Sequence, residues 1–284
     1  MSSYADADSA VIWSPRSVRG HRRAIIINGD DFGLSAENNA GIIMAHEHGV
    51  MPSTSLMIGG EAVEAAVEYA RQHSSLAVGL HVAFNDIKPI LRPEEVSLLV
   101  NSDGYFPADD TLWRTALSSS KGRRQIAAEI RAQIDAFFVT GLPCDHIDTH
   151  RHVHRHPLVA LMLFREMAKH GVQVTRIPWE PNLGPIRYMR AILLRWIAAY
   201  YGLRAPDRCI GRDWNADKML DLLGDALPKG ISEFYFHPVT LTEHMFAADL
   251  VTLLDPRVKQ VLGGLALRGV GAAVLNKGVQ SERI

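Results

Sequence analysis

Five of the 13 histidines lie within 11 residues, in the segment 145–157. In an extended strand, residues two apart point to the same face, so their spacing gathers imidazole and carboxylate groups on one side. The side chains that share this parity are His146, Asp148, His150, His152 and His154. Such a group is suited to metal binding or acid–base catalysis. Since a mononuclear catalytic site usually takes three protein ligands, the others would support the site or contact substrate.

Acidic and histidine side chains also follow other predicted strands. Asp30 and Asp31 come after the first apolar run, and His81 and His237 end two later runs. One carboxylate of the pair could hold a cation while the other faces a reacting water. Ordinary alternatives exist, because Asp pairs are common in turns and a lone histidine such as His81 is more often a core residue. Pro238 keeps His237 extended, so its ring projects from the rim, and together with the other residues it is a candidate general acid.

Strands that alternate with helices would bring these acidic and histidine side chains to one edge of a sheet. Apolar runs rich in β-branched residues predict seven strands at 24–28, 54–58, 76–82, 144–149, 173–177, 233–237 and 270–275. Helical spacing predicts helices between Ser35 and Gly49 and at about 60–72, 122–140, 157–170, 185–201, 215–227 and 256–268. Such alternation is typical of parallel strands whose carboxyl ends bind ligands. We therefore predict an α/β fold, a (β/α) barrel with seven strands that is distorted or incomplete and similar to a TIM barrel.

No repeat or change of composition divides the chain, so residues 24–277 are predicted to form a single domain. Residues 1–23 and 278–284 are expected to be an N-terminal and a C-terminal tail. The interval 83–121 lacks clean periodicity and contains three prolines, which predicts a long excursion over one rim. Long irregular loops in compact domains usually form lids or substrate walls.

The composition excludes several classes of protein. A hydrophobic content of 47% with a net charge of −1 is unlike that of a disordered chain, and it argues against a nucleic-acid partner. Two cysteines do not make a disulfide framework, so a reducing cytoplasm is the expected location. No apolar run has the length of a signal peptide's core or of a transmembrane helix.

Four motifs occur in a fixed order along the chain. They are Asn-Gly-Asp-Asp-Phe-Gly-Leu at 28–34, Gly-Leu-His at 79–81, His-Ile-Asp-Thr-His-Arg-His-Val-His at 146–154 and His-Pro at 237–238. Together they resemble the YdjC-like carbohydrate deacetylases, over nearly the whole chain after residue 23. The segment Arg-Ile-Pro-Trp-Glu-Pro at 176–181 is most similar to the branch associated with hopanoid biosynthesis.

The resemblance implies a role for each site residue. It assigns the metal to Asp31, His81 and His150, with Asp30 as the base. His237 would protonate the leaving amine. The residues expected to orient the substrate or support the metal ligands are His152, His154, Arg176 and Asp148. The nucleophile would be a water whose pKa the metal lowers to about 7.

The implied cofactor is one divalent ion per chain. Two imidazoles and one carboxylate suit zinc, although the same set serves iron, nickel or cobalt. Magnesium is a further alternative, disfavoured because it prefers oxygen ligands.

The resemblance further implies that the substrate is an N-acetylglucosamine unit on a hopanoid lipid, with a chito-oligosaccharide as the alternative. The segment 183–201 mixes arginines with bulky apolar residues, a composition suited to a lipid tail or to peripheral contact with the inner face of the membrane. Packing on the barrel and burial in a homodimer are its alternative explanations.

Two other functional classes are compatible with parts of the sequence. A metal-dependent phosphoesterase would need cationic side chains at the site, which Arg151, Arg155 and Arg176 offer. A non-catalytic metal- or haem-binding protein would account for the histidines but not for Asp30.

Overall fold

The computed structural model describes residues 23–179, 184–211, 214–224, 230–263 and 269–275. Their strands are β1 (Arg23–Phe32), β2 (Ser53–Leu56), β3 (Ala77–Val82), β4 (Ile147–Thr149), β5 (Arg208–Ile210) and β6 (Gly230–Phe236). Neighbouring strands all pair in parallel, in the order β4-β3-β2-β1-β6-β5. The predicted α/β class is confirmed, as a six-stranded sheet curled into a half-barrel. The predicted tails lie outside the described residues except for Arg23, which begins β1.

Helices connect most of the strands. They are α1 (Ala36–Glu47), α2 (Val63–Gln72), α3 (Thr111–Ala116), α4 (Ser120–Val139), α5 (Pro157–Lys169), α6 (Pro185–Tyr200), α7 (Ala216–Leu223), α8 (Ala247–Leu254), α9 (Pro256–Gly263) and α10 (Val270–Leu275). A short 3-10 turn, His150–Arg155, follows β4. Each predicted helix is present, although the last residues of those at 215–227 and 256–268 lie outside the described ranges. Helices α3 and α8 were not predicted. None of the helices in the described ranges is long and apolar enough to cross a membrane.

Five of the seven predicted strands are present, as β1, β2, β3, β4 and β6. The segment predicted at 173–177 forms only single parallel bridges, from Thr175 to Ile147 and from Val174 to Arg204. It therefore continues the curl beyond β4 without forming a regular strand. Strand β5 was missed because its three residues are too few to show an alternating pattern.

The prediction of a strand at 270–275 is wrong, because this segment is helix α10. Val270, Ala273 and Val274 have the i, i+3, i+4 spacing of a helical face, and they are buried with Ala24 and Ile26 of β1. A short apolar run fits both periodicities, so the pattern alone does not distinguish them.

The inner face of the curled sheet changes character along the strands. At the amino ends it is apolar, with Ile26 of β1 and Ile231 of β6 buried in one cluster. Two residues further along each strand the same face carries Asn28 and Glu233, both fully buried. The inner face of the sheet is thus apolar at the amino ends of its strands and polar toward their carboxyl ends.

The excursion at 83–121 has no strand, and its helical residues are α3 and the first two residues of α4. Its Phe84, Phe106 and Trp113 are buried. Glu129 of α4 accepts the backbone N–H groups of Ile90, at 2.9 Å, and Leu91, at 3.1 Å. The excursion is therefore a packed wall beside the carboxyl end of β3.

Candidate metal centre

Strand β1 brings two adjacent carboxylates to the carboxyl edge of the sheet. Adjacent side chains of a regular strand point to opposite faces, but the pairing of β1 with β2 changes register between Gly29 and Phe32. Within this bulge Asp31 has a left-handed φ of 69°. Asp30 and Asp31 are both buried in the same cluster of ionisable groups. The irregular backbone is the reason that both carboxylates reach one site.

Three residues predicted as metal ligands come together here. Asp31 Oδ1 lies 2.8 Å from His150 Nδ1 and 3.4 Å from His81 Nε2. The three side chains are buried, and one donor atom of each lies within 4.8 Å of the others. One carboxylate and two imidazoles at this spacing match the donor set of a mononuclear transition-metal site. The residues therefore fit a divalent ion.

The pKa values in this group favour a positive charge between the side chains. Burial alone would raise the pKa of Asp31, but the charge and hydrogen bond of His150 hold it well below its ordinary value. Burial alone would lower the pKa of His150, but Asp31 and then Asp86 raise it to about 10. At neutral pH this positive charge is the proton on the His150 imidazole, and a divalent ion bound to that ring would replace the proton.

Asp148 of β4 orients one of the imidazoles. Its Oδ1 lies 2.6 Å from His81 Nδ1, which leaves Nε2 of His81 facing Asp31. Ser55 of β2 donates to Asp148 Oδ2 at 3.1 Å. A carboxylate behind a histidine ligand fixes its tautomer and ring direction. Asp148, predicted as a substrate-contacting or supporting residue, is thus placed behind the metal site.

Arg176 is fully buried among three carboxylates. Its Nη1 lies 2.6 Å from Asp30 Oδ2, and its Nη2 lies 2.8 Å from Asp30 Oδ1 and 3.0 Å from Asp148 Oδ2. Its Nε and Nη2 donate to Glu233 Oε1 at 2.9 and 2.7 Å. Burial would lower the pKa of Arg176, but the three carboxylates raise it well above its ordinary value.

A second group of possible metal ligands, Asp30, His81 and Asp148, shares this region. Because Asp30 and Asp148 are already ion-paired with the guanidinium of Arg176, Asp31, His81 and His150 are the better candidate ligand set. Asp30 is additionally held by Asn28 Nδ2, which donates to its Oδ1 at 2.9 Å. The carboxylate of Asp30 is thus held by Arg176 and Asn28 beside the group Asp31, His81 and His150.

His237 lies on the other side of Asp30. Its Nε2 is 3.9 Å from Asp30 Oδ2, its Nδ1 is 3.7 Å from Asp249 Oδ2, and its ring stacks on Phe246. Burial would lower the pKa of His237, but the contact with Asp249 and the charges of Asp31 and Asp30 raise it above its ordinary value. His237 is therefore suited to carry a proton near neutral pH.

The predicted shared face holds for His146 and Asp148, whose side chains both contact Ser55 Oγ, but it ends after β4. Left-handed φ values of 50° at Arg151 and 52° at His152 turn the chain after β4 and break the strand parity. His154 is fully buried on Thr149, and burial lowers its pKa to about 4. Burial and then Arg176 hold the pKa of His152 well below its ordinary value. Two neutral imidazoles therefore lie beside the site, whereas His146 lies below it on Ser55.

Three acidic residues at the site were not predicted. Glu233 interrupts an apolar strand, and that interruption was a usable signal. Asp86 follows the end of β3 by four residues, so the strand-end rule could have included it. Asp249 lies in α8, far from any strand end, and no local pattern in the sequence indicates its contact with His237.

Comparison with known proteins places this architecture in a family. The sequence model described as YdjC-like protein matches residues 24–263. A carbohydrate deacetylase of Brevibacillus brevis is 36% identical over 219 residues, which are 77% of this chain and 82% of that protein. One of Clostridium beijerinckii is 30% identical over 242 residues, or 84% and 89% of the two chains. A crystal structure from Enterococcus faecalis V583, described as a candidate cellobiose-phosphate cleavage protein, shares the fold with a TM-score of 0.72, 24% identity and coverage of 89% of this chain and 98% of that one.

Proposed function

Because this chain belongs to the YdjC-like protein family and is a carbohydrate deacetylase, we propose that it removes the N-acetyl group of an N-acetylglucosamine unit with one divalent metal ion. The observation that carries this proposal is the placement of Asp31, His81 and His150 next to a separate acid–base pair, Asp30 and His237. Amide hydrolysis requires a nucleophile, a base and an acid for the leaving amine, and these five residues divide that work.

The side chains account for the proton transfers. A divalent ion in this site would supply a water with a pKa near 7 and would polarise the amide carbonyl. Asp30 accepts the proton of the attacking water, and Arg176 and Asn28 hold its carboxylate in position. As the carbon–nitrogen bond breaks, His237 gives its proton to the amine, so that acetate and a free amino sugar leave. Zinc is the proposed ion, since two of the three ligands are imidazoles.

Replacing Asp249 with asparagine is expected to narrow the pH range of activity on its basic side. The acid form of His237 persists up to its raised pKa and is lost as the pH rises through that value. Without the charge of Asp249 this pKa should fall toward the ordinary value of about 6.5, while the amide oxygen can still accept the His237 backbone N–H. The dependence of kcat on pH measures the change. An unaltered basic limb, or an equal shift in the exposed control Asp103→Asn, would contradict the role of His237.

A phosphoesterase is disfavoured by the way the cationic side chains are engaged. Arg176 is buried and shared by Asp30, Asp148 and Glu233. Arg151 is paired with Asp86. Arg176 is fully buried, so no phosphate group could replace its carboxylate partners, and of the two only the exposed Arg151 stands at an open position.

The surface of α6 supports a lipid-linked substrate. Five apolar side chains, spaced three or four residues apart, form a stripe that is exposed along the whole helix: Ile186, Met189, Leu193, Trp196 and Tyr200. The opposite side of α6 is buried, and the helix packs against α5 and the turn that carries His150. An exposed apolar stripe on a helix next to the site is suited to a membrane surface or a lipid tail.

The charges around this stripe favour an anionic lipid surface over a second copy of the chain. Arg187 and Arg190 are exposed beside the stripe, and no acidic residue occurs between 184 and 206. Pairing two α6 helices would bring arginines together without carboxylate partners, whereas anionic headgroups would neutralise them. We therefore propose that the enzyme acts in the cytoplasm on a glycolipid, such as an N-acetylglucosaminyl hopanoid, at the inner face of the membrane. Both cysteines are free, which fits a reducing compartment.

The double variant Leu193→Ser/Trp196→Ser is expected to lose activity on the glycolipid but to keep activity on soluble N,N′-diacetylchitobiose. Both side chains are exposed, so their replacement should remove lipid contact without disturbing the core. Acetate release from the two substrates, with the glycolipid in anionic vesicles, measures the difference. Val139→Ser, which alters an exposed apolar residue on α4, is the matched control. Equal loss on both substrates would contradict the lipid role. A wild-type preference for N,N′-diacetylchitobiose would favour an oligosaccharide substrate. A dimer that the variant dissociates would favour self-association.

A further inference from the structure

Backbone strain in the described part of the chain is concentrated at the candidate metal centre. The residues other than glycine with positive φ are Asp31 (69°), Asp86 (64°), Arg151 (50°) and His152 (52°). Left-handed backbone is unfavourable for such residues and persists where surrounding contacts enforce it, often at functional sites. Asp31 is a proposed metal ligand, and Arg151 and His152 directly follow another. Asp86 is the member of this group without an assigned role.

The carboxylate of Asp86 makes two contacts near the metal ligands. Its Oδ2 lies 3.3 Å from His150 Nε2 and 3.0 Å from Arg151 Nη2. Arg151 also donates to the carbonyl oxygen of Ala108, in the excursion that follows Asp86. The Asp86 side chain is about three-quarters buried. This carboxylate is therefore held between a proposed metal ligand and the wall of the site.

The two nitrogens of His150 face different carboxylates. Nδ1 points to Asp31, on the side of the proposed ion, and Nε2 points to Asp86. If Nδ1 binds the ion, the proton of the neutral ring lies on Nε2, and Asp86 is the acceptor in reach. The same arrangement exists at His81, with the nitrogens exchanged, because Asp148 accepts from Nδ1 while Nε2 faces the ion.

We propose that Asp86 is the positioning residue of His150, as Asp148 is of His81, and that Arg151 fixes this carboxylate and joins it to the excursion at 83–121. This inference rests on the proposed metal-dependent function. It gives each imidazole ligand a carboxylate that sets its tautomer and ring direction. It also assigns the excursion a role, because the wall of the site becomes mechanically joined to a metal ligand.

The contacts of Asn85 indicate that the excursion at 83–121 does not need the Asp86 carboxylate in order to fold. Asn85 Nδ2 donates to the carbonyl oxygens of Pro107, at 3.1 Å, and Asp109, at 2.7 Å. These bonds close the base of the excursion without the neighbouring carboxylate. The loop should therefore keep its conformation when the Asp86 carboxylate is removed.

The test is a zinc titration of the metal-free protein in competition with a chromophoric chelator. Asp86→Ala is expected to bind zinc about 10–100-fold more weakly than wild type, the usual cost of losing a partner behind a histidine ligand. Asp86→Asn, whose amide oxygen can still accept from Nε2, should lose less. Asp103→Ala, an exposed acid in the same excursion, is the matched control and should bind as wild type. Unfolding midpoints of the metal-free variants check that each is folded.

A second measurement reports which nitrogen of the His150 ring binds zinc and which carries the proton. In the zinc-bound wild type, ¹⁵N spectra should show zinc on Nδ1 of His150 and the proton on Nε2, and this proton signal should shift in Asp86→Asn. Wild-type zinc affinity in a folded Asp86→Ala, or zinc bound to Nε2, would overturn the role of Asp86 while leaving the proposed deacetylase intact. A wild-type protein that binds no divalent ion would overturn both. An equal loss of affinity in Asp103→Ala would show that the general charge of the excursion, and not Asp86, is responsible.

Discussion

Replacing His150 with alanine is expected to remove both the bound metal ion and the deacetylase activity. His150 supplies one of three protein ligands, and its Nδ1 lies 2.8 Å from Asp31 Oδ1. Without the imidazole, Asp31 and His81 leave only two protein ligands, which is fewer than a catalytic site of this type uses.

The measurement is metal content after dialysis, together with acetate release. Wild type should carry about one divalent ion per chain, and His150→Ala should carry almost none. His48→Ala is the matched control, because it removes an exposed imidazole that has no contact with the site. If His150→Ala keeps its ion and its activity, the ligand assignment is wrong. If it keeps the ion and loses only activity, His150 acts on the substrate and not on the metal.

Replacing Asp30 with asparagine is expected to leave the ion in place but to lower kcat by about 10²–10⁴, the typical effect of removing an acid–base group. Asp30 is outside the assigned ligand set, so the affinity for metal should change little. The amide oxygen of asparagine can still accept from Arg176, which preserves the packing of this fully buried pair. What the variant loses is a group that takes a proton from the attacking water.

Glu233→Gln is the matched comparison for this prediction. Like Asp30→Asn, it removes one negative charge that is paired with the guanidinium of Arg176, since Glu233 Oε1 lies 2.7 Å from Arg176 Nη2. It leaves Asp30 intact, so its loss of kcat should be much smaller. Metal content and kcat are measured for both variants. Equal losses in the two would mean that Asp30 serves as a charge partner of Arg176 and not as a base.

Residues 270–275 were predicted to be a strand but form helix α10, so hydrophobic periodicity did not identify this short element. Val270, Ala273 and Val274 satisfy the spacing of a helix, and the same short run is apolar enough for a buried strand. What decides between them is the space beneath the amino ends of β1 and β6, which a helix fills. That space exists only in the folded sheet.

The sequence by itself determined the α/β class and the set of strand ends at which Asp30, Asp31, His81 and His237 would lie. Side chains at the carboxyl ends of parallel strands must share one edge, so this grouping follows from strand order and needs no coordinates. The histidine cluster included His150 among candidates that strand parity treated as equivalent, and only the resemblance to the YdjC-like family singled it out.

Only the tertiary structure decided how these groups are used. The bulge at Asp31 and the left-handed turn after His150 determine which side chains face one another, and neither is encoded in a two-residue period. Asp86 and Asp249 reach the site from an irregular loop and from a helix, across separations in the chain that no local pattern records. Hydrogen-bond partners depend on distances of a few tenths of an ångström, and such distances are set by packing of the whole chain.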